Sequence, residues 1–308
     1  MTNRTLVGFL LLMAATGLAG CSDSSYPSAP TTLSPEPPAP TEIQRPALRL
    51  YGAVSDTAFR RLAGARIEIV GGPEAGTWTT ANAEGEFSFA PGTFDDTTQV
   101  RAALDGYVTA TQTVNRCATC ANSNYYAYFN LALPVAPVSI AGEYALTFQA
   151  DSACTDLPTE VRTRNYTATV TANNSDASIP SNTRFIAIPG GAPFLADYGA
   201  FWIGVAGDYL AFHLDEDEGP RLVEEFASNT YVAIGGVAAA TVGPVFSTIT
   251  APFDGSIEYC ERRSRIDSYP SCDLPAVRAR CTSKNHRLTL TRRRRSSPFT
   301  FSRSFPAL

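Results

Sequence analysis

The sequence predicts an all-β chain: a seven-stranded antiparallel β-sandwich followed by an antiparallel up-and-down β-barrel. Short apolar runs with period-two alternation recur at close spacing, as in Ile67/Ile69 and Phe87/Phe89, which is the pattern of half-buried strands. Turn signals rich in Gly, Pro and Asp separate these runs, with no intervening helical segments. Composition agrees. Only 17% of the 308 residues are charged while Gly and Pro number 22 each, which suits tight loops rather than long helices. Lys284 is the single lysine among 24 basic residues and the formal net charge is −5, so there is no global basic field for nucleic acid. Seven cysteines are present, an odd number that needs an account.

The chain opens with Arg4 and the apolar run Leu6–Ala15. This run is too short to span a bilayer comfortably and reads as a signal peptide over residues 1–20. The segment Leu18-Ala19-Gly20-Cys21 resembles a bacterial lipobox. That resemblance implies acylation of the Cys21 thiol and cleavage that leaves it as the first mature residue. More than one acyl chain gives stable anchoring. Ser22 stands where an Asp often retains such lipoproteins at an inner membrane. The expectation is therefore an exported protein, lipid-anchored at the cell envelope, at the outer membrane where there are two. Residues 21–46 form a Ser/Thr/Pro-rich tether with seven prolines between Pro27 and Pro46. It cannot bury a core and lifts the folded part off the membrane.

Residues 47–135 carry the sandwich. Its strands are expected at Leu48–Val54, Ala65–Gly71, Thr77–Ala81, Glu86–Ala90, Gln99–Leu104, Tyr107–Val114 and Tyr125–Leu133. Gly71-Gly72-Pro73, Glu84-Gly85, Pro91-Gly92 and Asp105-Gly106 punctuate them. The segments Gly52-Ala53-Val54, Leu62-Ala63-Gly64-Ala65, Glu84-Gly85-Glu86-Phe87 and Asp105-Gly106-Tyr107 resemble a carboxypeptidase regulatory-like domain, a small prealbumin-like sandwich. The resemblance covers about 85 residues and departs from the usual pattern at Asn82, where many relatives carry Asp. It implies a binding or spacer module, since some related folds bind carbohydrate, and not a peptidase. Cys117 and Cys120 lie in a hairpin loop here. A small loop disulfide is favoured over a redox CxxC or a metal site, because neither a βαβ context nor a second ligand pair accompanies them.

Residues 138–292 carry the barrel, joined to the sandwich across Pro134 and Pro137. Strands are expected at Glu143–Ala150, Tyr166–Ala172, Thr183–Ile188, Ala200–Val205, Tyr209–Leu214, Val223–Phe226, Tyr231–Ala240, Val245–Ile249, Gly255–Tyr259 and Arg287–Thr291. Such a meander closes on itself and removes its edges. Closure makes the first and last strands antiparallel neighbours. Cys154 after the first strand then meets Cys281 before the last, and Tyr144 meets Arg292 at the opposite end. A Cys154–Cys281 disulfide follows from this, and Cys260 and Cys272, which bracket a polar excursion, pair with each other. Gly142-x-Tyr144 with a late Arg is similar to the lipocalin-like arrangement in which an aromatic residue and an Arg close the barrel floor. With Cys21 set aside for lipid, the six remaining cysteines divide into three pairs.

No GxSxG, P-loop, HExxH or dinucleotide fingerprint occurs, and there are only two histidines. No catalytic residue, cofactor or metal is expected. His213 is out of phase with Leu210, Phe212 and Leu214, so a surface position is expected, whereas His286 shares the parity of Leu288 and Leu290. The acidic run Asp215–Glu218 reads as a solvated turn. Residues 293–308 form a basic tail, expected to be disordered. The leading expectation is a non-enzymatic, lipid-anchored binding or structural module, with carbohydrate binding by the sandwich. The alternative is a small-ligand carrier whose barrel interior is lined by Tyr166, Trp202, Tyr231 and His286. A thiol–disulfide enzyme using Cys117 and Cys120 comes third.

Overall fold

A computed structural model of the chain describes residues 48–117, 124–175, 179–195, 199–214, 222–261 and 277–293. Among them every regular element is a strand. The first eight are β1 (Leu50–Asp56), β2 (Arg66–Gly71), β3 (Trp78–Thr80), β4 (Glu86–Ser88), β5 (Gln99–Ala103), β6 (Ala110–Thr113), β7 (Asn115–Arg116) and β8 (Tyr125–Leu131). They form two four-stranded sheets, β4-β1-β8-β7 and β3-β2-β5-β6. Alternation puts Leu50, Val54, Phe87, Ala127 and Phe129 of one sheet against Ile67, Ile69, Val100 and Ala102 of the other. Each fully buried Val, Leu, Ile or Phe side chain among them contributes about 1.5–3 kcal/mol.

Every strand expected in the sandwich is present, with the two-residue β7 in addition. One pairing departs from the antiparallel expectation: β1 and β8 run parallel over seven register pairs, from Leu50↔Tyr125 to Asp56↔Leu131. Nothing in a local alternation pattern distinguishes a parallel from an antiparallel partner 75 residues away. Gly85 has a positive φ of 74°, and its backbone N–H bonds to Asn82 O. The Asn82 side-chain oxygen accepts from the N–H groups of Glu84 and Glu86. Asn therefore performs the turn-holding task of an Asp at this position.

The second set is β9 (Gly142–Gln149), β10 (Thr163–Ala172), β11 (Arg184–Gly190), β12 (Phe201–Ala206), β13 (Tyr209–Leu214), β14 (Leu222–Ala227), β15 (Thr230–Thr241), β16 (Thr248–Glu261) and β17 (Val277–Arg292). Eight of them close an antiparallel barrel in the order β13-β12-β11-β10-β9-β17-β16-β15, with β15 returning to β13. β14 pairs with the first half of β15, while β13 pairs with its second half. The two runs expected at Val245–Ile249 and Gly255–Tyr259 are one strand, β16. Pro252 is tolerated in it because the β15 ladder ends at Phe253. β17 starts ten residues before the expected Arg287 and extends β16 into a long hairpin.

Barrel closure matches the expectation from chain order. Arg292 pairs with Tyr144 and Arg287 with Gln149, and Cys154 and Cys281 form a disulfide with Cα atoms 5.6 Å apart. Cys117 and Cys260 are also disulfide-bonded. Their expected partners Cys120 and Cys272 lie outside the described residues, as do Cys21, the acidic run at 215–218 and tail residues 294–308. At the floor, the Tyr144 hydroxyl donates to Ile140 O at 2.7 Å. The Arg292 guanidinium donates to the Tyr144 hydroxyl and to Ala141 O.

Sandwich and barrel belong to one compact unit. The Thr57 hydroxyl donates to Val205 O at 2.6 Å, and Val138 N–H donates to Gly207 O at 2.9 Å. Phe59, held at a φ of 63°, lays its ring 4.3 Å from that of His213. His213 does point away from the barrel core, but the surface position expected for it is corrected. It is half-buried under the β1–β2 connection, because the neighbouring module supplies a ring that period-two alternation within one strand cannot reveal.

Candidate functional site

Three places concentrate chemistry: the inner wall of the barrel, its disulfide seam, and the outer face of one sandwich sheet. The inner wall is packed. Tyr144, Phe148, Phe185, Phe201, Phe212 and Phe253 are each at most 1% exposed and share one continuous core. A ligand-sized cavity would expose the residues lining it, so these rings leave no such space beside them. The four candidate liners are not brought together. Tyr166 and His286 face inward, but Trp202 and Tyr231 do not. Trp202 sits between the inward Phe201 and Ile203 on β12, and Tyr231 packs outside with Val223, Ala233 and Cys260. Both were one position out of phase with the interior.

Tyr166 belongs instead to a buried polar cluster. Its hydroxyl donates to Glu224 Oε2 at 2.8 Å, and Arg164 forks onto both oxygens of the same carboxylate. Burial and the Glu224 charge push the Tyr166 phenol well above its ordinary value. The guanidinium also lies 4.9 Å from the ring centre of Phe226. This cluster holds β14 across the barrel end. Sequence reading missed it, although an Arg at an inward parity position of β10 was a usable signal for a buried anionic partner.

At the seam, His286 is 1% exposed. Its Nδ1 accepts from Asp151 N–H at 2.9 Å, which places the proton of the neutral ring on Nε2. Burial lowers the His286 pKa and favours that neutral form. The Asp151 carboxylate accepts from the Ser283 hydroxyl at 2.6 Å and from Ala153 N–H. These bonds lower its pKa to about 2. Cys154, Cys281 and His286 place their potential ligand atoms within 4.8 Å of one another, but the two sulfurs are bonded to each other and so are not thiolate ligands.

The third place is a hollow of about 670 Å³ on the β4-β1-β8 sheet. Tyr51 and Ala53 point outward from β1, Glu86 and Ser88 from β4, and Tyr128 from β8. Register puts Ala53 directly between Glu86 and Tyr128, so its single methyl forms a floor between larger neighbours. Tyr128 is 56% exposed and its ring lies 5.5 Å from that of Tyr126. Arg61, Asn82 and the hydroxyl residues Thr79 and Thr80 complete the rim. Aromatic faces beside convergent polar groups suit a ligand with one apolar face and a periphery of hydroxyls. The signal for this site was available in the outward tyrosines at 126 and 128, which alternate with buried Tyr125, Ala127 and Phe129.

Comparison of the chain with family models, curated proteins and solved structures finds no match.

Proposed function

We propose that the chain is a non-enzymatic, lipid-anchored module of the cell envelope that binds carbohydrate on the outer face of its sandwich. The hollow over Ala53 carries this reading: a pyranose stacks its C–H face on Tyr128 or Tyr51 while its hydroxyls reach Asn82, Glu86 and Arg61. The packed inner wall of the barrel favours the sandwich as the place of binding and gives the barrel a structural role. The resemblance of the sandwich to a carboxypeptidase regulatory-like domain, and of Leu18–Cys21 to a lipobox, belong to the same proposal.

A glycan array probed with the full mature chain tests it. Saturable binding is expected to fall at least tenfold in the Tyr51→Ala/Tyr128→Ala double variant, with the far-UV spectrum unchanged. A blank array with folded protein sinks the carbohydrate reading. Metabolic labelling with a fatty-acid analogue tests the anchor: incorporation is expected in the wild type and absent in Cys21→Ser.

A further inference from the structure

We infer that the Cys154–Cys281 disulfide is a reducible thiol site, in which the buried imidazole of His286 holds the thiolate that an incoming dithiol releases. This goes beyond carbohydrate binding and does not depend on it. The Nε2 of His286 is buried and has no hydrogen-bond partner among the described residues. An N–H left without an acceptor in a packed core is costly and calls for an explanation. The two sulfurs lie within 4.8 Å of an imidazole nitrogen, and the backbones of Cys281 and Gly255, the Asp151 and Asp254 carboxylates and the Phe253 ring also face the imidazole. A disulfide sulfur is a poor acceptor, but a thiolate is a strong one.

The same geometry argues against a metal ion at the reduced pair. Ligation through Nε2 requires its proton to move to Nδ1, where Asp151 N–H already donates. A thiolate leaves that bond intact and uses the N–H as it stands.

Cys281 is half-buried, whereas Cys154 is 2% exposed. The reductant thiolate therefore attacks Cys281 Sγ, forming a mixed disulfide and breaking the bond to Cys154 Sγ. Cys154 leaves as the thiolate and accepts the Nε2–H of His286. The second thiol of the reductant then displaces Cys281 Sγ. The reductant is oxidised to its own disulfide by two electrons, and its two protons are left to the Cys281 thiol and to solvent.

The surrounding structure holds without the covalent bond. Arg162 donates to the carbonyls of Leu157 and Thr155, and Ala150 N–H donates to Arg162 O. These bonds keep the Cys154 loop closed on itself. The ladder from Arg287↔Gln149 to Arg292↔Tyr144 keeps the seam paired.

The test uses the full chain with 13Cβ-labelled cysteine, reduced with dithiothreitol and titrated by NMR, which reads each thiol without access by a reagent. The Cys154 Cβ shift is expected to titrate with an inflection at least one pH unit below the ordinary thiol value of about 8.5. At neutral pH its thiolate fraction is expected to fall several-fold in His286→Leu and to be partly restored in His286→Gln, which keeps an N–H donor. The barrel's far-UV signal is expected to survive reduction. An inflection at or above the ordinary value, or collapse of the barrel on reduction, overturns the inference. If His286→Leu does not fold, the folded wild type is compared with the same chain in urea, and equal inflections overturn it.

Discussion

Gly52 shows how little freedom some single positions have. A Cβ there would meet Ala127 O at 1.8 Å and the Phe87 ring at 2.8 Å. The first contact is backbone, so the β1–β8 pair must separate to admit even an alanine. Gly52→Ala is expected to cost about 3 kcal/mol, read as a lower denaturation midpoint of the full chain. The Glu224 carboxylate is a second such position. Glu224→Gln leaves Arg164 and the Tyr166 hydroxyl facing a neutral amide, and a loss of about 3 kcal/mol is expected in chemical denaturation. Asp151 links residue chemistry to pH. Its folded pKa is depressed, so its contribution is present above its ordinary value near 3.8 and is lost as pH falls towards about 2. Ser283→Ala removes the first cause of that depression. The Asp151 carboxyl should then titrate closer to its ordinary value by NMR, with a shallower dependence of stability between pH 4 and 2.

At the scale of elements, legibility followed the range of the interaction. Strands such as β4 and β13 were visible because Phe87 and the Leu210/Phe212/Leu214 row alternate locally. The Cys154–Cys281 bond was visible because closure fixes which strand ends meet. The hidden features depend on a partner remote in sequence: the parallel β1–β8 pair, the extension of β17 along β16, and the attachment of β14 by Glu224. The candidate site divides in the same way. His286 was placed inward by parity, while Tyr166, Trp202 and Tyr231 were selected as aromatic residues without regard to theirs, and of these three only Tyr166 faces inward. The hollow on the sandwich needed three strands in register before Ala53 could be read as its floor. Ala53→Leu should fill that hollow while leaving the inward face of β1 untouched. Unchanged thermal stability with loss of any saturable glycan binding is the expected pair of results.

For the whole molecule, the two modules are joined by packing as well as by chain. Gly204 allows the Phe59 ring and Thr57 O to approach its Cα, for a Cβ there would meet both at 2.6 Å. Gly204→Ala is expected to loosen the junction by about 1–2 kcal/mol. Faster proteolysis in residues 134–141, with both modules still folded, is its expected sign. The seam disulfide also determines how the barrel responds to tension. Gly142 and Arg292 leave from the same end of adjacent antiparallel strands, so a pull on both opens the β9–β17 ladder like a zip, one hydrogen bond at a time. Opening stops at the bond between Cys154 and Cys281, which shields the chain between them, a separation of 127 residues. Single-molecule pulling should therefore release only the short segments outside that bond under oxidising conditions, and the full length of the module once it is reduced.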